Sequence, residues 1–342
     1  MSGTTNNPTK AAAISGSIVP PQQPASDDPV TDWIERRDDR NRKLTGQTRH
    51  LMRQGDARTM RWIPDESIHI VVTSPPYGLL KQYSDAPGQL GNGDDPTSVD
   101  AYEAFLDELD RCWSECQRVL VPGGRICCVV GDICLSRRAA GRHHVLPLTA
   151  DIQVRARRAK LDNLTPIRWL KVANLKLEAS RSSWYLGKPN LPNGIVKNDV
   201  ETIVMLRKPG YRKPTAEMEE RSRIATDEYR QLFAPLWDDV PGEQSRRFKH
   251  PAPFPVELAS RLIRMYSFAE DIVLDPFVGS GTTMVSAMNT GRHSIGIEIV
   301  PDYAAIATAR IRAHAPEGAT VLLSADSQDN VEPEPEPLAA TA

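Results

Sequence analysis

The chain has few cysteines, and their arrangement excludes two classes of protein. Only five occur among 342 residues, and all lie between Cys112 and Cys134. Such an odd number in one stretch, without a C-x-x-C pair, is typical of reduced thiols in a core. A disulfide framework or a zinc site fits it less well. We therefore predict no bound metal.

The chain also lacks a net charge of either sign and any long apolar run. Its formal charge is −2, so a nucleic-acid partner would need a local cationic surface. No stretch approaches 18 uninterrupted apolar residues, which argues against a membrane span. The N-terminus lacks a charged-then-apolar signal pattern. We expect a cytoplasmic protein with no membrane association.

The two ends of the chain differ in composition from its middle. Residues 1–40 begin with a stretch rich in Ser, Thr, Ala and Pro, and 324–342 form an acidic Pro-Glu tail, so both are predicted to be disordered. Between them strand-like and helix-like segments alternate, which predicts an α/β domain with a mostly parallel, doubly wound sheet. Residues 207–249 are the exception, with four prolines, many charges and weak periodicity. We interpret them as a surface-exposed insertion.

Hydrophobic periodicity places the main elements along the domain. Strands are predicted near residues 50–52, 68–73, 125–131, 166–172, 200–206, 272–275 and 294–298. Helices are predicted near residues 99–120, 145–161, 256–266, 281–290 and 301–313.

Residues 73–77, Thr-Ser-Pro-Pro-Tyr, form a stiff segment directly after the apolar strand and are called the proline corner here. Two prolines fix φ and keep the residue before each out of the helical region. The corner therefore holds a hydroxyl, a carbonyl and an aromatic face in fixed positions. An enzyme that binds an unstacked nucleobase and its exocyclic amine needs this set. Taken alone, the segment could equally be a loop that only ends a strand.

A second motif lies at residues 272–283, where a buried strand leads into a glycine loop and then a helix. Gly279 and Gly281 suit a backbone that approaches a ligand closely or adopts positive φ. Glu298 follows Gly279 by nineteen residues and ends the next strand. An acidic side chain at this position accepts hydrogen bonds from ribose hydroxyls. The pattern predicts an adenosine-type cofactor site at the carboxyl ends of parallel strands.

The residues of this loop also narrow the choice of cofactor. No Lys follows the glycines, so a phosphate-binding loop is excluded, and Met284 stands where a dinucleotide site has its third glycine. A phosphate-free adenosine cofactor fits better, and S-adenosylmethionine is the candidate. A plain glycine turn is the alternative, but it leaves Asp275 and Glu298 at adjacent strand ends unexplained.

Together the two motifs resemble those of DNA amino-methyltransferases. Residues 74–77 match the (Asp/Asn/Ser)-Pro-Pro-(Tyr/Phe) motif, and 275–281 match Asp-Pro-Phe-x-Gly-x-Gly. The first motif precedes the second by 201 residues (275 − 74), the permuted order of the beta class. Residues 55–56 resemble the segment that touches adenine, 118–124 the turn before the fifth sheet strand, and 250–255 the element that supports the methionine end of the cofactor.

The resemblance implies a circularly permuted, Rossmann-like fold of S-adenosylmethionine-dependent methyltransferases. It divides the chain into a catalytic half at 45–206, a target-recognition insertion at 207–249 and a cofactor half at 250–323. The implied catalytic residues are Ser74, Pro75, Pro76 and Tyr77. The implied cofactor contacts are Asp56, Thr73, Pro253, Asp275, Pro276, Phe277, Gly279, Ser280, Gly281, Thr282 and Glu298.

The first polar residue of the proline corner bears on the target base. In the family that the chain resembles, Ser-Pro-Pro-Tyr preceded by Thr favours cytosine N4, whereas Asp-Pro-Pro-Tyr favours adenine N6. Cytosine C5 chemistry is rejected, because it needs a cysteine nucleophile, usually after proline, and no cysteine here follows one. Adenine-N6 methylation stays open. RNA or protein glutamine methylation is a more remote alternative, since those enzymes normally place the cofactor motif first.

Double-stranded DNA is the implied partner, with base flipping, and a cognate restriction endonuclease is a candidate second partner. A monomer and a homodimer are both open. Basic clusters occur at 137–144, at 155–160 and within 207–249, and 174–198 adds aromatic residues among basic ones. A solvated helix face is the alternative reading for 155–160. The predicted DNA contacts are Arg155, Arg158, Lys188, Arg212, Lys213 and Arg246.

Overall fold

A computed structural model describes residue 34 and residues 44–77, 88–91, 94–171, 196, 198–242 and 254–325 of the chain. The predicted N-terminal tail lies outside these ranges except for residue 34. Most of the predicted C-terminal tail also lies outside them, although the last strand, Thr320–Ala325, includes its first two residues. None of the helices in the described ranges is both long and apolar enough to cross a membrane.

Strands and helices alternate through most of the described chain, as the periodicity predicts. The strands are β1 (Arg49–Gln54), β2 (Ile68–Thr73), β3 (Leu120–Val130), β4 (Ile133–Leu135), β5 (His144–Leu146), β6 (Asp162–Asn163), β7 (Ile167–Leu170), β8 (Val200–Arg207), β9 (Leu236–Trp237), β10 (Ile272–Asp275), β11 (His293–Glu298) and β12 (Thr320–Ala325). The helices are α1 (Val99–Val119), α2 (Arg137–Ala140), α3 (Leu148–Arg155), α4 (Ala216–Arg221), α5 (Thr226–Leu232), α6 (Val256–Tyr266), α7 (Thr282–Asn289) and α8 (Pro301–His314).

One large, mostly parallel sheet organises the fold. Its strand order is β12-β1-β11-β10-β2-β3-β8-β7-β9, and β6 pairs with β8. The strands from β12 to β3 are parallel, β8 is antiparallel to its neighbours, and β7 and β9 return to the main direction. Strands β4 and β5 form a separate antiparallel hairpin. The predicted mostly parallel α/β fold is confirmed.

Both faces of the sheet are buried, which explains its apolar strands. Along β2, Val71 belongs to the core cluster that contains Phe105 of α1. Its neighbours Ile70 and Val72 belong to a second cluster that contains Leu258 of α6. Successive side chains of a strand point to opposite faces, so α1 and α6 cover opposite sides of the sheet.

The order of strands shows how the predicted halves combine. Strand β1 belongs to the predicted catalytic half, yet it lies between β11 and β12 of the cofactor half. Strand β2 lies beside β10, with Val71 opposite Leu274. The two halves therefore interleave in one sheet, and the ends of β2 and β10 are neighbours.

The interpretation of 207–249 as a surface-exposed insertion is wrong for its described part, 207–242. Met218, Leu232, Trp237 and Val240 are all nearly inaccessible to solvent. Strand β9 extends the main sheet by pairing with β7, and the Trp169 indole N–H donates to the Val240 carbonyl over 2.8 Å. The sequence did not reveal these buried apolar residues, because they stand among prolines and charged residues and are too widely spaced to give a helical or strand periodicity.

A second difference concerns the helix predicted at 145–161. Helix α3 ends at Arg155, and the chain turns so that the Leu161 N–H reaches the Ala156 carbonyl over 3.1 Å. Lys160 in this turn has φ of +55°, a left-handed conformation that a helix cannot contain. The turn delivers the chain to β6.

Candidate active site

The proline corner begins where β2 leaves the sheet. Thr73, its first residue, is completely buried, and its hydroxyl donates to Asp275 Oδ1 over 2.6 Å. Asp275 is the last residue of the neighbouring strand β10. The hydrogen bond therefore ties the end of β2 to the start of the glycine loop.

Asp275 holds the beginning of the glycine loop. Its Oδ1 also accepts the Phe277 N–H over 3.1 Å, and the carboxyl group is almost fully buried. Burial raises the pKa of Asp275 to about 6, against the opposing effect of hydrogen bonds from Thr73, Thr283 and Phe277. A buried carboxylate that accepts hydrogen bonds from the Thr73 hydroxyl and the Phe277 N–H fixes the backbone around it.

Glu298 closes the other side of the loop. One carboxylate oxygen accepts the Gly279 N–H and the other accepts the Val300 N–H, each over 2.9 Å. Burial raises the pKa of Glu298 to about 7. Gly279 and Gly281 have φ of 51° and 84°, so both use the left-handed conformation for which glycine was predicted.

A cleft with about 770 Å³ of empty space opens at the carboxyl ends of these strands. It contains both predicted motifs, so they form one site. Its lining residues are Gly55, Asp56, Ala57, Ser74, Pro75, Pro76, Tyr77, Gly88, Gln89, Leu90, Pro276, Phe277, Gly279, Glu298, Ile299, Val300 and Tyr303.

Tyr77 is fixed at the wall of this cleft. Its hydroxyl oxygen accepts the N–H of Gly131, the residue after β3, over 2.8 Å. The ring is partly buried against the larger core cluster. The hydroxyl end of the ring is thus held next to the end of β3, which sets the orientation of the aromatic face towards the cleft.

Asp56 lies across the cleft, after β1. Its Oδ1 accepts the Arg58 backbone N–H over 2.8 Å, and the Arg58 guanidinium also contacts Glu108 of α1. A carboxylate held by its own loop in this way presents a fixed polar edge to the cleft.

Several predicted cofactor contacts lie behind the cleft wall instead of in it. Thr73, Asp275, Ser280, Gly281 and Thr282 do not line the cleft, and all are buried. They position the loop through contacts such as the bonds that Arg310 donates to the Ser280 carbonyl, over 3.1 Å, and to the Thr282 hydroxyl, over 3.0 Å. Pro253 lies outside the described residues.

Sequence reasoning missed part of the cleft wall. Ile299 and Val300 directly follow Glu298, and Tyr303 lies in the first turn of α8. Their position after the acidic strand end was an available signal, because residues that follow a parallel strand lie at the ligand edge of the sheet. Gln89 and Leu90 come from a stretch without periodicity and gave no signal.

Comparison with known proteins now identifies the family. Residues 68–309 match the family described as DNA methylase, N6_N4_Mtase. The chain belongs to this family of DNA amino-methyltransferases. It is a methyltransferase that uses S-adenosylmethionine and acts on DNA, at cytosine N4 or adenine N6.

Individual relatives agree with this assignment. The methyltransferase is 34% identical to the type II methyltransferase M.MjaI of Methanocaldococcus jannaschii over 273 residues, which are 74% of this chain and 88% of that protein. It is 45% identical to TTHA0409 of Thermus thermophilus, whose structure was solved in complex with S-adenosyl-L-methionine. That match has a TM-score of 0.64 and covers 81% of this chain and 98% of that one. The cytosine-N4-specific PvuII DNA methyltransferase, at 21% identity and a TM-score of 0.56 over 77% of this chain and 87% of that one, supports the fold alone.

The cleft of this methyltransferase suits its cofactor. Glu298 would offer its carboxylate oxygens to ribose hydroxyls, and Asp56, which also lines the cleft, would add a second acidic edge. None of the described residues that line the cleft is Lys, Arg or His, so these residues offer no cationic side chain to a phosphate. An adenosine cofactor without phosphates fits this donor set. Among the described residues, no three side chains of His, Cys, Asp or Glu are grouped to hold a metal.

Two of the predicted DNA contacts are engaged elsewhere in the methyltransferase. Arg155 is 7% exposed and binds three carboxylates of α1, those of Glu103, Asp107 and Asp110. Arg212 pairs with buried Asp271 over 2.6 Å. A guanidinium that already neutralises buried or multiple carboxylates is not free for phosphates, so both assignments are wrong as direct contacts.

The remaining predicted DNA contacts divide into two groups. Arg158 and Lys213 are exposed. Lys213 nevertheless follows Arg212, whose partner Asp271 immediately precedes β10, so this segment lies at the amino edge of the sheet, opposite the cleft. Lys188 and Arg246, like most of segment 174–198, lie outside the described residues.

Proposed function

We propose that the protein transfers a methyl group from S-adenosylmethionine to the N4 amine of cytosine in duplex DNA. The observation that carries the proposal is Ser74. It occupies the first position of the proline corner, follows Thr73, and lines the cleft together with the loop that holds the cofactor. In the family, this Thr-Ser-Pro-Pro-Tyr arrangement favours cytosine.

The proline corner supplies acceptors for the amine. The exocyclic amine of cytosine is a poor nucleophile, because its lone pair is delocalised into the ring. The Ser74 hydroxyl and the Pro75 carbonyl both accept hydrogen bonds, so together they draw the two N–H groups out of the ring plane. The lone pair then localises on nitrogen. The cofactor supplies an electrophilic methyl group on sulfur, and no covalent bond between enzyme and base is needed.

Positioning accounts for much of the expected rate. Reacting atoms need to be held at roughly 3–3.5 Å and in line, which is worth several kcal/mol when the site is rigid. The bond between Thr73 and Asp275 fixes the amine-binding corner against the cofactor loop. Ser74 is not a strong base at neutral pH, so the amine loses its proton after methyl transfer has made it acidic, and solvent takes up the proton.

Tyr77 stacks on the base in this proposal. A base flipped from the duplex loses its stacking at a cost of about a few kcal/mol. Stacking of the flipped base on the Tyr77 ring at the cleft wall offsets part of that cost. The bond from the Gly131 N–H to the Tyr77 hydroxyl keeps this face in place.

The decisive experiment analyses DNA from a methylation-free bacterial host that expresses the protein. Nucleoside mass spectrometry of digested DNA should detect N4-methylcytosine. The Ser74→Ala variant should abolish the modified nucleoside while calorimetry shows unchanged binding of S-adenosylmethionine. N6-methyladenine in place of N4-methylcytosine would overturn the base assignment. Wild-type turnover by Ser74→Ala would overturn the role of Ser74.

A further inference from the structure

The hairpin of β4 and β5, residues 133–146, rises next to the active site and is called the basic hairpin here. It starts three residues after the end of β3, and β3 ends at the same edge of the sheet as the proline corner, with Cys128 opposite Thr73. Gly131, just before the hairpin, donates its N–H to Tyr77. The residue at the base of the hairpin is therefore bonded directly to the aromatic residue of the site.

The base of the basic hairpin is anchored while its tip is exposed. Ile133 and Leu135 are buried in the larger core cluster. Asp132, before the hairpin, accepts the backbone N–H of Thr149 over 2.9 Å and fixes the start of α3 against it. At the tip, a Cβ on Gly141 would meet no atom within 4 Å. The tip of the hairpin is thus exposed to solvent, whereas its base is fixed by buried side chains and a hydrogen bond.

The tip of the basic hairpin carries positive charge that no carboxylate among the described residues neutralises. Arg137, Arg138 and Arg142 are exposed, and none of them forms an ion pair or hydrogen bond with the residues that the structure describes. Across 133–150 the sequence has these three arginines and two histidines but no Asp or Glu. A positive surface without local carboxylates keeps its full attraction for an anion.

Several other arginines of the described chain are paired with carboxylates. Arg58 lies on Asp56 and Glu108, and Arg118 lies on Asp65 and Glu115. Further arginines with carboxylate partners are Arg155, Arg207, Arg212, Arg261 and Arg264. The basic hairpin differs from these paired arginines, because its guanidinium groups have no carboxylate partner among the described residues and lie close to the cleft.

We propose that the basic hairpin binds backbone phosphates of duplex DNA next to the flipped base. The proposal rests on DNA being the substrate and does not depend on which base is methylated. Arg137 follows Gly131 by six positions, so the chain spans at most roughly 20 Å between them. Duplex DNA carries one charge per about 1.7 Å of its axis, so several phosphates lie within this distance of a base in the cleft.

Guanidinium groups suit this task, because their planar N–H fork matches phosphate oxygens. The net charge of the whole chain is −2 and would not attract DNA by itself. A local cationic projection beside the cleft both attracts the duplex and fixes its orientation without reading sequence.

The test compares two triple variants of the full chain that lose the same charge. The first is Arg137→Gln with Arg138→Gln and Arg142→Gln. The matched control is Lys213→Gln with Arg230→Gln and Arg312→Gln, three exposed cations on other parts of the surface. Fluorescence anisotropy with a labelled duplex at several salt concentrations gives the dissociation constant and its salt dependence. Each lost phosphate contact lowers the slope of log K against log salt by about 0.9, so three contacts lower it by roughly 2.7.

We expect the hairpin variant to bind DNA about tenfold or more weakly and with the reduced slope. The control should stay close to the wild type. The hairpin variant should retain its affinity for S-adenosylmethionine and its thermal unfolding midpoint, and saturating DNA should restore its kcat. Equal slopes for the two variants would overturn the proposal. The identity of the methylated nucleoside tests only the proposed target base, whereas the salt dependence of DNA binding tests only the hairpin. A failure of one proposal can therefore be told from a failure of the other.

Discussion

Thr73 donates its hydroxyl to Asp275 across 2.6 Å, although the two residues are 202 positions apart in the sequence. Each is the last residue of its strand, and both are buried. The bond joins the proline corner, which we propose holds the target amine, to the glycine loop, which we propose holds the cofactor. In the proposed function, this one contact between neighbouring strands would align the two substrates.

Removal of this bond should weaken both stability and cofactor binding. Thr73→Val keeps the shape of the side chain but leaves Asp275 without one of its donors, at a cost of about 1–3 kcal/mol. Urea unfolding of the cofactor-free protein and calorimetry with S-adenosylmethionine measure the two effects. Thr73→Ser retains the hydroxyl and should lose much less in both. A Thr73→Val protein as stable as the wild type would show that the bond contributes little.

The hydroxyl and the ring of Tyr77 should contribute separately. Tyr77→Phe removes the acceptor of the Gly131 N–H but keeps the aromatic face, so we expect modestly slower methylation. Tyr77→Ala also removes the stacking surface and should cost about 1–3 kcal/mol of binding to a flipped base. Fluorescence of 2-aminopurine at the target position reports flipping. If Phe and Ala variants flip the base equally well, the ring does not stack.

The main sheet could be predicted, because its strands are marked by patterns of neighbouring residues in the sequence. Continuous apolar strands ended by Pro, Gly or an acidic residue, such as 68–73 and 272–275, indicate buried parallel strands with functional groups at their carboxyl ends. The structure confirms these strands as β2 and β10. Partners of surface charges depend instead on how helices pack. Glu103, Asp107 and Asp110 share one face of α1, but nothing local shows that Arg155 would meet them.

Arg155 should therefore matter for stability and not for DNA binding. Arg155→Gln leaves three carboxylates of α1 without their shared cation, and we expect a loss of about 1–3 kcal/mol in urea unfolding. Its affinity for duplex DNA should stay at the wild-type value. Arg158→Gln is the matched control. Arg158 is exposed, and its one carboxylate neighbour among the described residues, Asp110, comes no closer than 3.9 Å. It should change stability by less than about 0.5 kcal/mol. Weaker DNA binding by Arg155→Gln alone would restore its predicted role.

The missing third glycine of the cofactor loop has a structural explanation. Met284 of α7 packs onto Gly296 of β11, so the small residue that lets helix and strand approach is on the strand. The sequence showed the methionine but not its partner twelve residues later. A Cβ on Gly296 would also lie only 2.8 Å from Val278 Cγ2.

Gly296→Ala should consequently destabilise the cofactor half by overpacking, by about 1–3 kcal/mol. Urea unfolding measures the loss. Shortening the facing side chain by Met284→Ala should cost about 2–5 kcal/mol alone, because it leaves a cavity. In the double variant the new methyl group occupies part of that cavity, so the combined loss should be smaller than the sum. Strict additivity would mean that the two residues do not share the space.

Glu298 should make cofactor binding depend on pH near neutrality. Burial raises the pKa of its carboxyl to about 7, so the group changes its charge close to physiological pH. Ribose hydroxyls donate more strongly to the ionised form. We expect the affinity for S-adenosylmethionine, measured by calorimetry, to fall as the pH is lowered from 8 to 6, by at most about tenfold per pH unit. Glu298→Gln should bind more weakly at pH 8 and show a smaller pH dependence over this range, with Asp275, whose pKa burial raises to about 6, as the remaining titrating group of the loop.

Stability of the cofactor-free protein should change in the opposite direction. A carboxyl whose folded pKa is raised binds its proton more readily in the native state than in the unfolded chain. Its contribution to stability is therefore fully present below the unfolded value of 4.5 and is lost as the pH rises through about 7. Relative to Glu298→Gln, the wild type should gain unfolding free energy as the pH falls from 8 to 6, while its cofactor affinity declines. Parallel pH trends in the two measurements would show that Glu298 does not control both.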